Sequence, residues 1–457
     1  MQTSDTGVEG LDCVLCGGIP RGSIVLLAGQ PGTGKTILAT TFLYKGALSG
    51  EKGAYLSFSE TRRDYFENMR RLGMDMEELE KRGDFFYLDY ITPTPQGADA
   101  IRDAIIRELI KLAGARGVRR LVIDSISAIV QSLGRDKARE FVHSVIGRVV
   151  KAFGVTTILI GEMPYGSEKI GEGIEEFVVD GVILLKYIQE GEITRRVMRV
   201  LKLRGVGLEK TEFDYVITSE GIRLFALPSL EFTSADAPTE RVSTGIDKLD
   251  EMLGGGVYRN STTLVIGMSG SGKTSVGLHF AVRAAMDGKK ALYISFEEPR
   301  GHIVRMLQNY GMWSDEVSSN MIIISRVPEG KTPVEYFMEL QDSVRKYGPE
   351  VVVIDSISAI IHHMSEETQT RYLRYLNLLS KKERITLMAL TNFSAENLFA
   401  EGKRVGFTTF ADNIVVMRYR EVGDELRREM FVLKARGSYC DSRIHPYRVT
   451  SEGVVIE

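Results

Sequence analysis

The chain has 457 residues, 43% of them hydrophobic and 26% charged, with a formal net charge of −3. That length exceeds what one hydrophobic core supports, so two or more domains are expected, and the ordinary apolar content excludes a disordered chain. The slightly acidic balance supplies no global basic field for nucleic acid or an anionic membrane surface, and three cysteines cannot build a disulfide framework.

The first residues, Met1 to Asp5, lack the basic and apolar regions of a secretory leader, and no uncharged apolar run reaches about 18 residues. A cytoplasmic protein without a membrane partner is expected. A Thr-Gly segment follows, Thr6-Gly7-Val8-Glu9-Gly10-Leu11-Asp12, then a single C-x-x-C at Cys13 and Cys16. With no second ligand pair and no thioredoxin-like context, these cysteines read as small buried thiols.

An apolar strand over residues 23–28 runs into Gly29-Gln30-Pro31-Gly32-Thr33-Gly34-Lys35-Thr36, and a helix-like stretch follows. Strand, glycine-rich loop and helix form the context of a phosphate loop, in which backbone N–H groups and the helix N-terminus face phosphate oxygens. Gly32, Thr33, Gly34, Lys35 and Thr36 are therefore expected to bind ATP, with Lys35 reaching the β- and γ-phosphates and Thr36 on Mg²⁺. Next come a strand over 54–58, the pair Ser59-Glu60, a helix over 100–112, and an apolar strand over 121–125 that reaches Asp124. Such runs belong to parallel strands buried on both faces, and an aspartate at the strand end suits the Mg²⁺ shell. Strands over 180–188, 195–203 and 213–225 then read as hairpins extending the sheet.

Residues 227–238 are rich in Pro, Ser and acidic groups, as in a linker, and the domain boundary is placed near Asp236. Two domains are thus expected, residues 1–235 and 236–457.

The second half repeats the first. The offset between Lys35 and Lys273 recurs between Thr6 and Thr244 and between Gly17 and Gly255, as expected of a tandem duplication. Its phosphate loop is Gly267-Met268-Ser269-Gly270-Ser271-Gly272-Lys273-Thr274, so Gly270, Ser271, Gly272, Lys273 and Thr274 are the second nucleotide residues and Thr274 the second Mg²⁺ hydroxyl. Strands over 291–296 and 351–356, the latter carrying Asp355, a helix over 371–379, and hairpins over 412–419, 429–435 and 447–456 complete it. The fold class is α/β, two tandem P-loop domains, each a mainly parallel sheet flanked by helices with C-terminal hairpins.

Two features bear on catalysis. The second half has Glu297-Glu298 after its second strand where the first has Ser59-Glu60, and a carboxylate beside the γ-phosphate can deprotonate water or a hydroxyl as serine cannot. Lys202-Leu203-Arg204-Gly205 and Lys434-Ala435-Arg436-Gly437 each put two cations on one strand face, which calls for an anion between them; the γ-phosphate of a neighbouring subunit is a candidate.

These motifs, with Phe296-Glu297-Glu298, Asp124-Ser125, Asp355-Ser356 and Thr391-Asn392, resemble the KaiC family of RecA-like ATPases over essentially the whole chain. The resemblance implies a hexamer of two stacked rings, with ATP and Mg²⁺ at the subunit interfaces. Lys202, Arg204, Lys434 and Arg436 would act on a neighbour's nucleotide. It also implies an autokinase in the second half, with Glu297 as general base and the hydroxyls four and three residues before Asp412, Thr408 and Thr409, as acceptors. Ser59 departs from the family's paired glutamates, so hydrolysis in the first half is expected to be weakened or left to Glu60. The regulatory tail of the clock members is not expected here, and the signalling partner is unknown. A RecA-like enzyme acting on nucleic acid is the alternative, disfavoured by the acidic charge and the lack of a DNA-binding module. A scaffold that binds ATP with little hydrolysis is the other.

Overall fold

The computed structural model describes residues 2–90, 98–142, 147–165, 179–190, 193–208, 211–225, 238–328, 331–361, 364–392 and 410–457. Two compact units emerge, Met1–Gln189 with Thr194–Ala226, and Glu190–Ile193 with Leu227–Glu457. Asp236, where the boundary was expected, lies outside the described residues, as do Thr408 and Thr409.

In the first unit the sheet strands are β1 (Ile24–Gly29), β2 (Gly53–Ser57), β3 (Phe85–Asp89), β4 (Arg120–Asp124), β5 (Thr156–Glu162), β6 (Gly181–Glu190), β7 (Ile193–Leu203), β8 (Glu212–Thr218) and β9 (Gly221–Phe225). They lie in the order β9-β8-β7-β6-β1-β5-β4-β2-β3. The stretch from β6 to β3 is parallel, and β8 pairs antiparallel with both β7 and β9. Helices α1 (Lys35–Leu48), α2 (Arg62–Arg71) and α3 (Ala98–Ile110) supply crossovers.

The double burial inferred from the apolar runs is realised residue by residue. Val25 and Leu27 join Leu38 and Phe42 of α1 in one core cluster. Ile24, Leu26 and Ala28 join Ile105 and Leu109 of α3 in another. Strand alternation sends neighbours to opposite faces, so an unbroken apolar run is needed when helices cover both.

The second unit has β10 (Thr262–Gly267), β11 (Ala291–Ser295), β12 (Met321–Ser325), β13 (Val351–Asp355), β14 (Thr386–Thr391), β15 (Asn413–Val422), β16 (Glu425–Ala435), β17 (His445–Thr450) and β18 (Gly453–Ile456). Their order, β18-β17-β16-β15-β10-β14-β13-β11-β12, repeats that of the first sheet strand for strand. The helices used below are α4 (Lys273–Met286), α5 (Pro333–Tyr347) and α6 (Glu366–Lys382). Both halves are tandem RecA-like domains, as the duplicated loops implied.

One expectation fails. Cys13 and Cys16 are exposed, not buried. The short helix Leu11–Val14 turns Leu11 and Leu15 into the core, and that spacing leaves the cysteines on the outer side.

Candidate active site

Each phosphate loop leaves the C-terminal end of the central strand, where open α/β sheets bind ligands. Gly32 and Gly34 have φ of 77° and 93°, and Gly270 and Gly272 have 77° and 94°, backbone that favours glycine. A Cβ on Gly34 would also lie 2.9 Å from Ile217 Cδ1, and one on Gly272 2.9 Å from Val449 Cγ2. Side chains are thereby excluded on both counts.

Lys35 Nζ donates to the carbonyls of Gly29 at 2.9 Å and Gln30 at 3.1 Å, and Lys273 Nζ to that of Met268 at 2.9 Å. Burial holds both ammonium groups below the ordinary lysine value; Asp124 and Glu162 act against it at Lys35, Glu297 and Asp355 at Lys273. The loops are braced by tyrosines of β6 and β8 in the first unit and of β15 and β17 in the second. Tyr187 and Tyr215 donate to the carbonyls of Gly32 and Thr33 at 2.7 and 2.5 Å, and Tyr419 and Tyr447 to those of Gly270 and Ser271 at 2.6 Å each. Those bonds engage loop carbonyls, while the N–H groups of Thr33 and Ser271 donate within the loops, to Gln30 O at 3.3 Å and Met268 O at 3.2 Å.

Asp124 and Asp355 end β4 and β13, each buried and each bonded through Oδ2 to a tyrosine hydroxyl, Tyr55 at 2.5 Å and Tyr293 at 2.7 Å. Burial raises both carboxyls, that of Asp355 to about 6. Thr36 Oγ1 stands 3.4 Å from Asp124 Oδ2. A hydroxyl beside a carboxylate, with phosphate oxygens in front, is a hard-oxygen donor set that fits Mg²⁺. Ser271 Oγ in the second loop is buried without a hydrogen-bond partner among the described residues, which also fits a loop shaped for a ligand.

The carboxylates after β2 and β11 differ. Glu297 Oε1 accepts from Ser356 Oγ and, at 3.1 Å, from Asn392 Nδ2, so the ends of three strands converge on it. Glu298 lies 3.0 Å from His302, and Glu60 accepts from Asn68 at 2.7 Å. Ser59 is exposed at the position corresponding to Glu297.

The Lys-x-Arg pairs have partners within their own unit. Lys202 Nζ donates to Val179 O at 2.8 Å and Arg204 pairs with Asp180 at 3.2 Å; Lys434 donates to Ala411 O at 2.7 Å and Arg436 pairs with Asp412 at 3.4 Å. An aspartate and a carbonyl thus face the cations, while the arginine side chains stay 63% and 56% exposed.

Sequence reasoning missed the tyrosines. They recur at matching positions of the repeat, Tyr55 with Tyr293, Tyr187 with Tyr419 and Tyr215 with Tyr447, and that coincidence was the available signal.

Among the described residues no helix is long and apolar enough to cross a membrane. The family described as "ATPase: KaiC" matches residues 4–229 and again residues 242–457. A circadian clock oscillator protein KaiC from Parathermosynechococcus lividus is 32% identical over 463 residues, covering 99% of this chain and 84% of that protein. The protein of the same name from Synechococcus elongatus is 31% identical over 458 residues, covering 98% and 88%. Two phosphate loops, two matching sheets and likeness across both halves agree: the chain belongs to the KaiC family of ATPases.

Proposed function

We propose that this protein is a Mg²⁺-dependent ATPase that binds one nucleotide in each half and carries protein-kinase activity toward itself in the second. The observation that carries the reading is Glu297, oriented by Ser356 and Asn392 beside the second phosphate loop. A carboxylate so fixed can take a proton from a water or hydroxyl as it attacks the γ-phosphate.

Thr36 with Asp124, and Thr274 with Asp355, would hold Mg²⁺. When bound there it neutralises charge on the β- and γ-phosphate oxygens. Lys35 and Lys273 would exchange their carbonyl partners for phosphate oxygens. The loop N–H groups and the N-termini of α1 and α4 stabilise the same negative charge. In a hexamer, the exposed guanidinium groups of Arg204 and Arg436, with Lys202 and Lys434, would face a neighbour's γ-phosphate. Thr408 and Thr409 are the proposed acceptors.

Incubation of the purified chain with Mg-ATP, with phosphate release followed and phosphopeptides mapped by mass spectrometry, tests both parts. Release together with phosphate on Thr408 or Thr409 is expected. Release without modification would leave the ATPase alone, and no release would refute the enzyme.

A further inference from the structure

The two sites share a frame, yet differ at two facing positions, one after β2 or β11 and one at the end of β5 or after β14. Glu297 follows β11 and meets Asn392, which follows β14, at 3.1 Å. Glu162 occupies the position of Asn392 in the first unit. Its N–H donates to Ser127 Oγ at 3.2 Å, just as that of Asn392 donates to Ser358 Oγ at 2.7 Å. Register agrees, because Glu162 lies opposite Gly29, while Thr391 lies opposite Ile266, the residue before Gly267. The first site therefore has serine where the second has its glutamate, and glutamate where the second has its amide. The 3.1 Å contact in the second unit shows that side chains from these two positions reach one another.

Placement on the sheet points the same way. β5 lies between β1, which carries the phosphate loop, and β4, which carries Asp124. Ile160 is level with Asp124, and alternation returns Glu162 to the face of Ile160, which packs in the same cluster as α1. Glu162 is exposed at that edge, and its charge is felt at both Lys35 and Asp124. Glu60, by contrast, is bonded to Asn68 of α2.

We propose that Glu162 is the water-activating carboxylate of the first site, taking the part that Ser59 cannot play. This rests on the ATPase reading above. Water oxygen forms a bond to the γ-phosphorus, and the bond from that phosphorus to the β,γ-bridging oxygen breaks. ADP leaves with the electron pair, and the water proton passes to a Glu162 carboxylate oxygen.

The full chain bearing Lys273→Ala isolates the first site. In that background Glu162→Gln should lower phosphate release about a hundredfold or more, with ATP affinity and melting temperature close to those of the parent. Glu60→Gln should lower it less than about threefold, and Ser59→Glu added to Glu162→Gln should recover at least about tenfold. An unchanged rate in Glu162→Gln, a larger loss in Glu60→Gln, or loss of ATP binding together with the rate would overturn the assignment. So would a Lys273→Ala chain that binds ATP and releases no phosphate. Release by a Lys35→Ala chain separates that failure from failure of the ATPase reading, since it reports the second site alone.

Discussion

Replacing Glu297 by glutamine changes one oxygen to an amide nitrogen and leaves the other free to accept from Ser356 and Asn392, the two bonds that orient the side chain. Fold, charge-free packing and nucleotide affinity should therefore survive while the proton acceptor is lost. Loss of a positioned general base slows a reaction by about 10²–10⁴-fold, which corresponds to about 3–5 kcal/mol of barrier. The assay is single-turnover hydrolysis of labelled ATP by the chain carrying Lys35→Ala, in which only the second site acts. Glu297→Gln should fall into that range with an ATP dissociation constant within about threefold of the parent. A rate within about threefold of the parent would refute the reasoning. So would a loss of affinity matching the loss of rate, because it would make Glu297 a binding group. In the intact chain Glu297→Gln should cost more hydrolysis than Glu60→Gln, whose carboxylate is bonded to Asn68.

Two further outcomes follow from contacts outside the reacting centre. Tyr447 donates to Ser271 O from a buried position, whereas the equivalent bond from Tyr419 to Gly270 O is exposed. Leaving a buried carbonyl unpaired costs about 1–3 kcal/mol, so Tyr447→Phe should weaken ATP binding at the second site by about tenfold and Tyr419→Phe by less; calorimetric titration that ranks them the other way contradicts this. His279 of α4 accepts from the N–H of Val454 through Nε2 at 3.1 Å, and burial holds it below the ordinary histidine value of 6.5. A depressed pKa means stability that is full above the unfolded value and lost as pH falls through the folded one. The second half should melt progressively lower below about pH 6.5, and His279→Gln should flatten that slope; parallel slopes would exclude His279 as the cause.

What the sequence disclosed was local, and what it concealed came from pairing across the sheet. The loops around Lys35 and Lys273 and the strands ending at Asp124 and Asp355 were legible because an apolar run, a glycine pattern and a helix sit contiguously. The edge strands β3 and β12 were not. Met321–Ser325 is as apolar as the central strands, yet only its first residue is fully buried, so its edge position shows in the strand pairing and not in its composition. The tyrosine braces span 155 to 182 positions of chain in the first unit, beyond any windowed pattern. Ser59 by itself signals the loss of an acid. Only the register of β5 against β1 shows another carboxylate, Glu162, arriving at the same edge. At the Lys-x-Arg strands, alternation called for an anion such as a neighbour's γ-phosphate, and the structure places Asp180 and Asp412 of the same unit beside Arg204 and Arg436.

The proposed function requires two separately built sites for Mg-ATP in one chain. Equilibrium dialysis of the full chain against a non-hydrolysable ATP analogue with Mg²⁺ tests it most directly. Two nucleotides per chain are expected for the parent, and one each for Lys35→Ala and Lys273→Ala. One nucleotide per parent chain, or loss of both on a single substitution, would contradict the account.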